Sequence, residues 1–85
     1  MYYAYVLQSL RDGSLYYGSS ENPLLRLEMY HNKGFEKYTR SRLPWKLIYS
    51  EEFVTRAEAV RREKFFKSGK GREYIKKILK DRKLM

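Results

Sequence analysis

Cysteine is absent from this 85-residue chain, and histidine occurs once, as His31. Without thiols there is no disulfide and no thiolate metal centre, and a lone imidazole rules out a multi-histidine zinc site. The lack of cysteine fits a reducing compartment, so a cytoplasmic location is expected. No apolar run approaches the roughly 20 residues a membrane-spanning helix needs. The N-terminal stretch Met1-Tyr2-Tyr3-Ala4-Tyr5-Val6-Leu7 has no basic residue ahead of its apolar part and reads as a strand, not a signal peptide. The length corresponds to one domain, residues 1–85, with a modest core.

Acidic residues are also scarce: ten against nineteen lysines and arginines, a net charge of +9. The excess is unevenly placed. Residues 53–85 hold 12 Lys/Arg and 4 Asp/Glu, whereas residues 1–52 hold 7 and 6. A basic C-terminal third of this kind points to a polyanionic partner. The alternative is a solvated, lysine-rich helical surface. An anionic membrane fits less well, because no amphipathic helix has an apolar face to spare from the core.

Aromatic residues, by contrast, are plentiful. Ala4-Tyr5-Val6 and Tyr16-Tyr17-Gly18 flank Asp12-Gly13, a strong hairpin signal. A two-residue turn there sets Arg11 opposite Ser14, Ser9 opposite Tyr16 and Tyr5 opposite Ser20. Tyr5 and Tyr16 then share one face of a sheet. Tyr2 to Leu10 alternates poorly, as a central strand covered on both faces would. Asn22-Pro23 starts a helix, with Asn as cap and Pro in the first turn. Leu24, Leu27 and His31 fall on one face of it, and Asn32-Lys33-Gly34 ends it. A polar, basic loop spans Phe35 to Leu43. Pro44 precedes a third strand, Trp45 to Ser50. Thr55 with Glu58 forms a capping box for a helix over Arg56 to Lys67. Ser68-Gly69-Lys70-Gly71 breaks the chain before a last helix, Arg72 to Lys80, with Tyr74, Ile75, Ile78 and Leu79 inward. The expected class is α+β: a three-stranded, mostly antiparallel sheet flanked by helices, in the order ββαβαα.

One carboxylate in the second long helix is out of pattern. Advancing about 100° per residue from Ala59, Glu63 falls roughly 40° away, within the apolar stripe. A carboxylate there must be paired, protonated or bound to a cation. It either reaches Lys67, four residues on, as a surface ion pair, or it is a hard-metal ligand.

The two tyrosine triplets at this spacing are followed by Arg26 in a helix, then by Tyr38-Thr39-Arg40, Pro44-Trp45 and Arg62-Glu63-Lys64. In this combination the chain resembles the GIY-YIG nuclease superfamily over essentially its whole length, and most of all its small single-domain bacterial members. The N-terminal incision domain of the bacterial nucleotide-excision-repair subunit and the catalytic domains of some homing endonucleases are related. The resemblance implies hydrolysis of DNA phosphodiesters with one divalent ion, Mg²⁺ or Mn²⁺, in DNA repair or recombination. It implies that Tyr5 helps deprotonate or orient the attacking water and that Tyr16 lies beside the scissile phosphate. Arg26 would neutralise phosphoryl charge, and Glu63 would hold the metal. A free phenol, with a pKa of about 10, needs nearby cations to act as a base at neutral pH.

Relatives of this type often carry His-Asn, with the histidine at the position occupied here by Tyr30, fourteen residues after Tyr16, while His31 follows one residue later. On an ideal helix Tyr30 shares a stripe with Arg26, and His31 lies about 100° round, toward Leu24 and Leu27. Some repair-type relatives use tyrosine at this place, so the resemblance makes Tyr30 the first choice for the site. His31 is either its substitute or a core histidine. Tyr38, Arg40, Arg42, Arg61, Lys64, Lys67, Lys70 and Arg72 are the expected nucleic-acid contacts. Two functions stand side by side: a metal-dependent endonuclease, and a nucleic-acid-binding module of the same fold with little or no cleavage. A third is a protein-interaction domain whose charge is incidental. The choice of DNA target, branched or single-stranded, is expected either to be loose or to be supplied by an oligomer or a protein partner.

Overall fold

In the computed structural model of the protein, which describes residues 1–33 and 37–81, three strands form one antiparallel sheet in the order β2-β1-β3. The side chains of Tyr30, Lys37 and Tyr38 lie outside the described part. Strand β1 (Tyr2–Ser9) pairs with β2 (Leu15–Ser20) on one side and β3 (Trp45–Phe53) on the other. Ala4 to Leu7 are all buried, as the poor alternation of β1 predicts for a strand covered on both faces. The helices are α1 (Pro23–Arg26), continued by a π-helical turn at Leu27–His31, then α2 (Lys37–Arg40), α3 (Arg56–Phe66) and α4 (Gly69–Asp81). The order is the expected ββαβαα with one addition: a single helical turn, α2, within the segment expected to be a loop. No described helix is long and apolar enough to cross a membrane.

The local signals act as their chemistry requires. Asn22 Oδ1 accepts the Leu25 N–H at 3.1 Å, and Pro23 occupies the first turn of α1. Thr55 and Glu58 complete a reciprocal capping box on α3. The hairpin register differs from the expected one by two residues. Tyr5 pairs with Gly18 and Leu7 with Tyr16, and five residues, 10–14, connect the two strands. The cause is Ser9: its N–H bonds Ser14 O, its carbonyl accepts from Gly13 N, and its hydroxyl accepts the Arg11 and Asp12 N–H groups. Gly13 supplies the positive φ, 79°, that this wider turn needs. A shift of two preserves side-chain parity, so Tyr5 and Tyr16 still share a face.

Each face of the sheet has its own core. Ala4, Val6 and Tyr17 pack with Phe66 of α3 and with Ile75 and Leu79 of α4. Tyr5, Leu7 and Trp45 pack on the opposite face, with Tyr16, Leu27, Leu43 and Leu47 around them. Helix α4 starts at Gly69, three residues earlier than expected. Ser68 Oγ caps it by accepting the Gly71 N–H and donates to Phe65 O, so only Lys67 and Ser68 separate α3 from α4. Ile75 and Leu79 point inward, whereas Tyr74 is partly exposed, held against Phe65 and under the Arg62 guanidinium.

Candidate active site

The two motif tyrosines meet the single histidine beneath the π-helical turn. The Tyr5 hydroxyl lies 3.0 Å from His31 Nε2, and His31 Nδ1 lies 3.2 Å from Thr39 Oγ1. Tyr5, His31 and Thr39 are each at most 1% exposed. One imidazole nitrogen donates and the other accepts, so the chain of three side chains is satisfied in either tautomer. Tyr16, only half-buried, sets its ring 4.8 Å from His31, 6.5 Å from Tyr5 and 6.3 Å from Trp45. Gly18 leaves the space this requires. A Cβ there would stand 2.6 Å from both Cζ and Oη of Tyr5.

The π-helical turn sets the direction of His31. The Asn32 N–H bonds Leu27 O, an i to i+5 closure that inserts one extra residue into the turn. His31, five residues after Arg26, is thereby turned in and buried. The expected α-helical stripe of Leu24, Leu27 and His31 is broken, and Leu24 is exposed. Asn32 fixes the end of the turn by copying a strand's hydrogen-bonding edge. Its Oδ1 accepts the Trp45 N–H at 2.6 Å and its Nδ2 donates to Trp45 O at 3.0 Å. The sequence names Asn32 as part of the helix end but not its pairing with the Trp45 backbone. The Trp45 indole donates to Thr39 O at 2.7 Å, which ties α2 to the same cluster.

Glu63 reaches the sheet from the other side. Ser19 pairs with Ala4, whose side chain belongs to the core under α3 and α4, so Glu63 and the Tyr5 phenol approach β2 from opposite faces. The Ser19 hydroxyl donates to Glu63 Oε1 at 2.7 Å, and Lys67 Nζ stands 2.7 Å from Oε2. Glu63 therefore makes the i,i+4 ion pair and also points inward, with its side chain 20% exposed. Ser19 also lines a cleft of about 460 Å³ at the C-terminal end of β2, with Arg26 of α1 and Arg56 and Val60 of α3. Arg56 was not anticipated as a site residue. Being the first residue after a Thr cap, it reads as a helix-start residue, and nothing in the spacing marks it as facing Arg26. Among the described residues no three His, Asp or Glu side chains cluster as metal ligands, so a cation at Glu63 would take its other ligands from water and substrate.

The remaining basic residues divide. Arg40, Arg61, Lys64, Lys70 and Arg72 are exposed. Arg42 lies 3.4 Å from Asp12 of the hairpin loop, and Lys67 is held by Glu63, so both are already engaged with carboxylates. Arg62 has a structural place: it bonds Glu51 at 2.7 Å and stacks over Phe65, Phe66 and Tyr74. Hydrogen bonding to Glu51 raises its pKa further. Tyr30 and Tyr38 are candidates whose side chains fall outside the described residues.

Comparison with known proteins places these features in a wider set. Residues 1–77 match the model of the GIY-YIG catalytic domain. A UPF0213 protein of Bacillus licheniformis is 50% identical over 66 residues, covering 78% of this chain and 67% of the relative. One from Clostridium perfringens is 39% identical over 84 residues, covering 99% and 80%. The solution NMR structure of a UPF0213 protein from Bacillus halodurans is similar with a TM-score of 0.52 and 31% identity, over 92% of this chain and 85% of that one.

Proposed function

Because the chain belongs to the GIY-YIG family, we propose that it is a divalent-metal-dependent nuclease hydrolysing DNA phosphodiester bonds, acting in repair or recombination in the cytoplasm. The observation that carries the reading is the place of Ser19. It lines the cleft beside Arg26 and donates to Glu63, next in sequence to Gly18, on which the Tyr5 phenol rests. Ser19 thereby links the cleft holding Arg26, a guanidinium for the phosphate, to Glu63, a carboxylate for a cation, which supports the reading.

Arg26 offers N–H donors and positive charge to the phosphoryl oxygens, where charge accumulates as water attacks. Tyr16 is the phenol that water or phosphate can approach, because Tyr5 is only 1% exposed. Tyr5, locked to His31, holds the Tyr16 ring and acts as a positioning residue. Glu63 is a hard oxygen donor, and Lys67 Nζ already occupies a cation's position beside Oε2, so the residues fit one hydrated ion. When bound, Mg²⁺ or Mn²⁺ neutralises the phosphate and the leaving oxygen. Attack by water breaks one P–O bond and yields a phosphomonoester and a hydroxyl end.

The test is cleavage of plasmid, branched and single-stranded DNA with Mg²⁺ or Mn²⁺, comparing wild type with Glu63→Ala, Arg26→Ala and Tyr16→Phe. The reading fails if the wild type is as inert as the variants on every substrate. The Lys67–Glu63 ion pair favours a second reading, because it closes the acidic position with the chain's own cation. A pure binding module would hold DNA equally well with and without metal, and after Glu63→Ala.

A further inference from the structure

We infer that the cleft at the end of β2 is a subsite for one unpaired nucleotide, so that the preferred substrate is single-stranded or frayed beside the bond to be cut. The inference rests on the reading of this domain as one that engages nucleic acid. Its basis is the pairing of Arg56 with Tyr2, which lies apart from the motif residues. The Arg56 guanidinium sits over the Tyr2 ring, 5.8 Å from its centroid, and both residues line the cleft. Guanidinium and ring are each groups on which unstacked bases lie, and as a cation–π pair they form the stacking platform offered by the wall of the cleft. Arg26 lines the same cleft and supplies a cation for the nucleotide's phosphate.

Three further features select a nucleotide over a bare phosphate. The volume, about 460 Å³, falls within the roughly 300–1,000 Å³ of small-molecule pockets and exceeds what a lone anion needs. Glu21, the one carboxylate among the lining residues, repels a second phosphate and accepts N–H donors of the kind carried on a base edge. Val60 and Leu25 give the cleft apolar wall beside the platform. A base inside a duplex is stacked on its neighbours and presents no face to a protein ring, so only an unpaired nucleotide uses this platform.

The experiment is fluorescence anisotropy of the full chain with a labelled oligothymidylate strand and with a duplex of equal length, at one fixed salt concentration without metal. The variants are Arg56→Gln, Tyr2→Leu and Tyr2→Phe, each checked for fold by circular dichroism. The expected result is tighter binding of the single strand, weakened about tenfold by Arg56→Gln and by Tyr2→Leu. Tyr2→Phe, which keeps the ring, should bind like wild type, and duplex binding should change by less than about twofold under Arg56→Gln once one lost charge is allowed for. Equal losses on strand and duplex, or no loss on either, overturn the subsite. If Tyr2→Leu does not fold, Arg56→Gln and Tyr2→Phe still decide. A wild type that cuts DNA while Arg56→Gln binds normally sinks this inference and leaves the nuclease reading standing. A wild type that shows the strand preference but never cuts does the reverse. A wild type that binds no nucleic acid removes both.

Discussion

The Tyr5 hydroxyl and His31 Nε2, 26 residues apart in sequence, meet at 3.0 Å in the interior, where neither residue is more than 1% exposed. Removing one partner leaves the other's polar group buried. His31→Ala also opens a void, and is expected to cost about 2–4 kcal/mol in urea denaturation. Tyr5→Phe keeps the ring and should cost only about 1 kcal/mol. The double variant should be less destabilised than the two losses added together, because both remove the same hydrogen bond. Strict additivity would show that the contact carries no coupling.

Gly18→Ala separates stability from activity. The added methyl meets Cζ and Oη of Tyr5 at 2.6 Å and Tyr16 Cε1 at 3.1 Å, all side-chain atoms. The phenols can move aside, so unfolding should shift by only about 1–3 kcal/mol. Cleavage, on the nuclease reading, should fall at least tenfold through kcat, since the aromatic positions change. A variant with wild-type kcat would show that the Tyr5 position is irrelevant to the chemistry.

Gly71→Ala has no such escape. Its methyl would lie 1.7 Å from Phe65 O and 2.7 Å from Phe66 Cα, backbone atoms of the helix next to it. About 3 kcal/mol or more of destabilisation is expected, read as a lowered urea midpoint or failure to fold. A loss below about 1 kcal/mol would mean that α3 and α4 are free to separate.

Lys67→Met tests the cation position. The ion pair with Glu63 is half-exposed on the lysine side and should contribute only about 0.3–0.5 kcal/mol to stability. Mn²⁺ binding, followed by calorimetry, should tighten severalfold once the ammonium no longer competes for Oε2. Unchanged Mn²⁺ affinity would argue that metal and lysine do not share the carboxylate.

Asp12 offers a pH signature at the hairpin. Hydrogen bonds from Ser14, and more weakly the Arg42 charge, hold its carboxyl below the ordinary range. A depressed folded-state pKa means its contribution is present above the unfolded value and is lost as pH falls through the folded one. Carboxyl NMR titration should give a midpoint below about 3.9 in wild type, moving upward in Ser14→Pro, which removes the donated N–H. A wild-type midpoint at the ordinary value would contradict the Asp12–Ser14 turn.

Much of the fold was legible because its signals are local. Asn22-Pro23 and Thr55 with Glu58 name helix starts through their own hydrogen bonds, and the parity of Tyr5 and Tyr16 survives a change of hairpin length. The exact register was not legible, because it depends on Ser9 accepting three backbone contacts around the turn and donating its hydroxyl to Arg42 O across the chain. The inward turn of His31 was hidden for another reason. Helical-wheel reasoning assumes about 3.6 residues per turn, and the anchor that sustains the wider turn is Asn32 on the backbone of Trp45, thirteen residues away. Glu63 was recognisable as out of pattern, but not the face of the sheet it would reach, since a wheel describes one helix and not its partner. The α4 start was missed because Gly69 and Gly71 read as breakers, whereas Ser68 caps the helix and Gly71 provides closeness.

The widened turn at Leu27–His31 also bears on chain length. Deleting any one residue from this stretch would leave an ordinary, well-formed helix, with the chain count restored to four per closure. With the deletion ahead of His31, the segment would look more regular while His31 and Asn32 kept their anchors on Tyr5 and Trp45. The irregular turn is thus a spacer one residue long: it absorbs one extra residue in the chain without moving the imidazole from the Tyr5 hydroxyl.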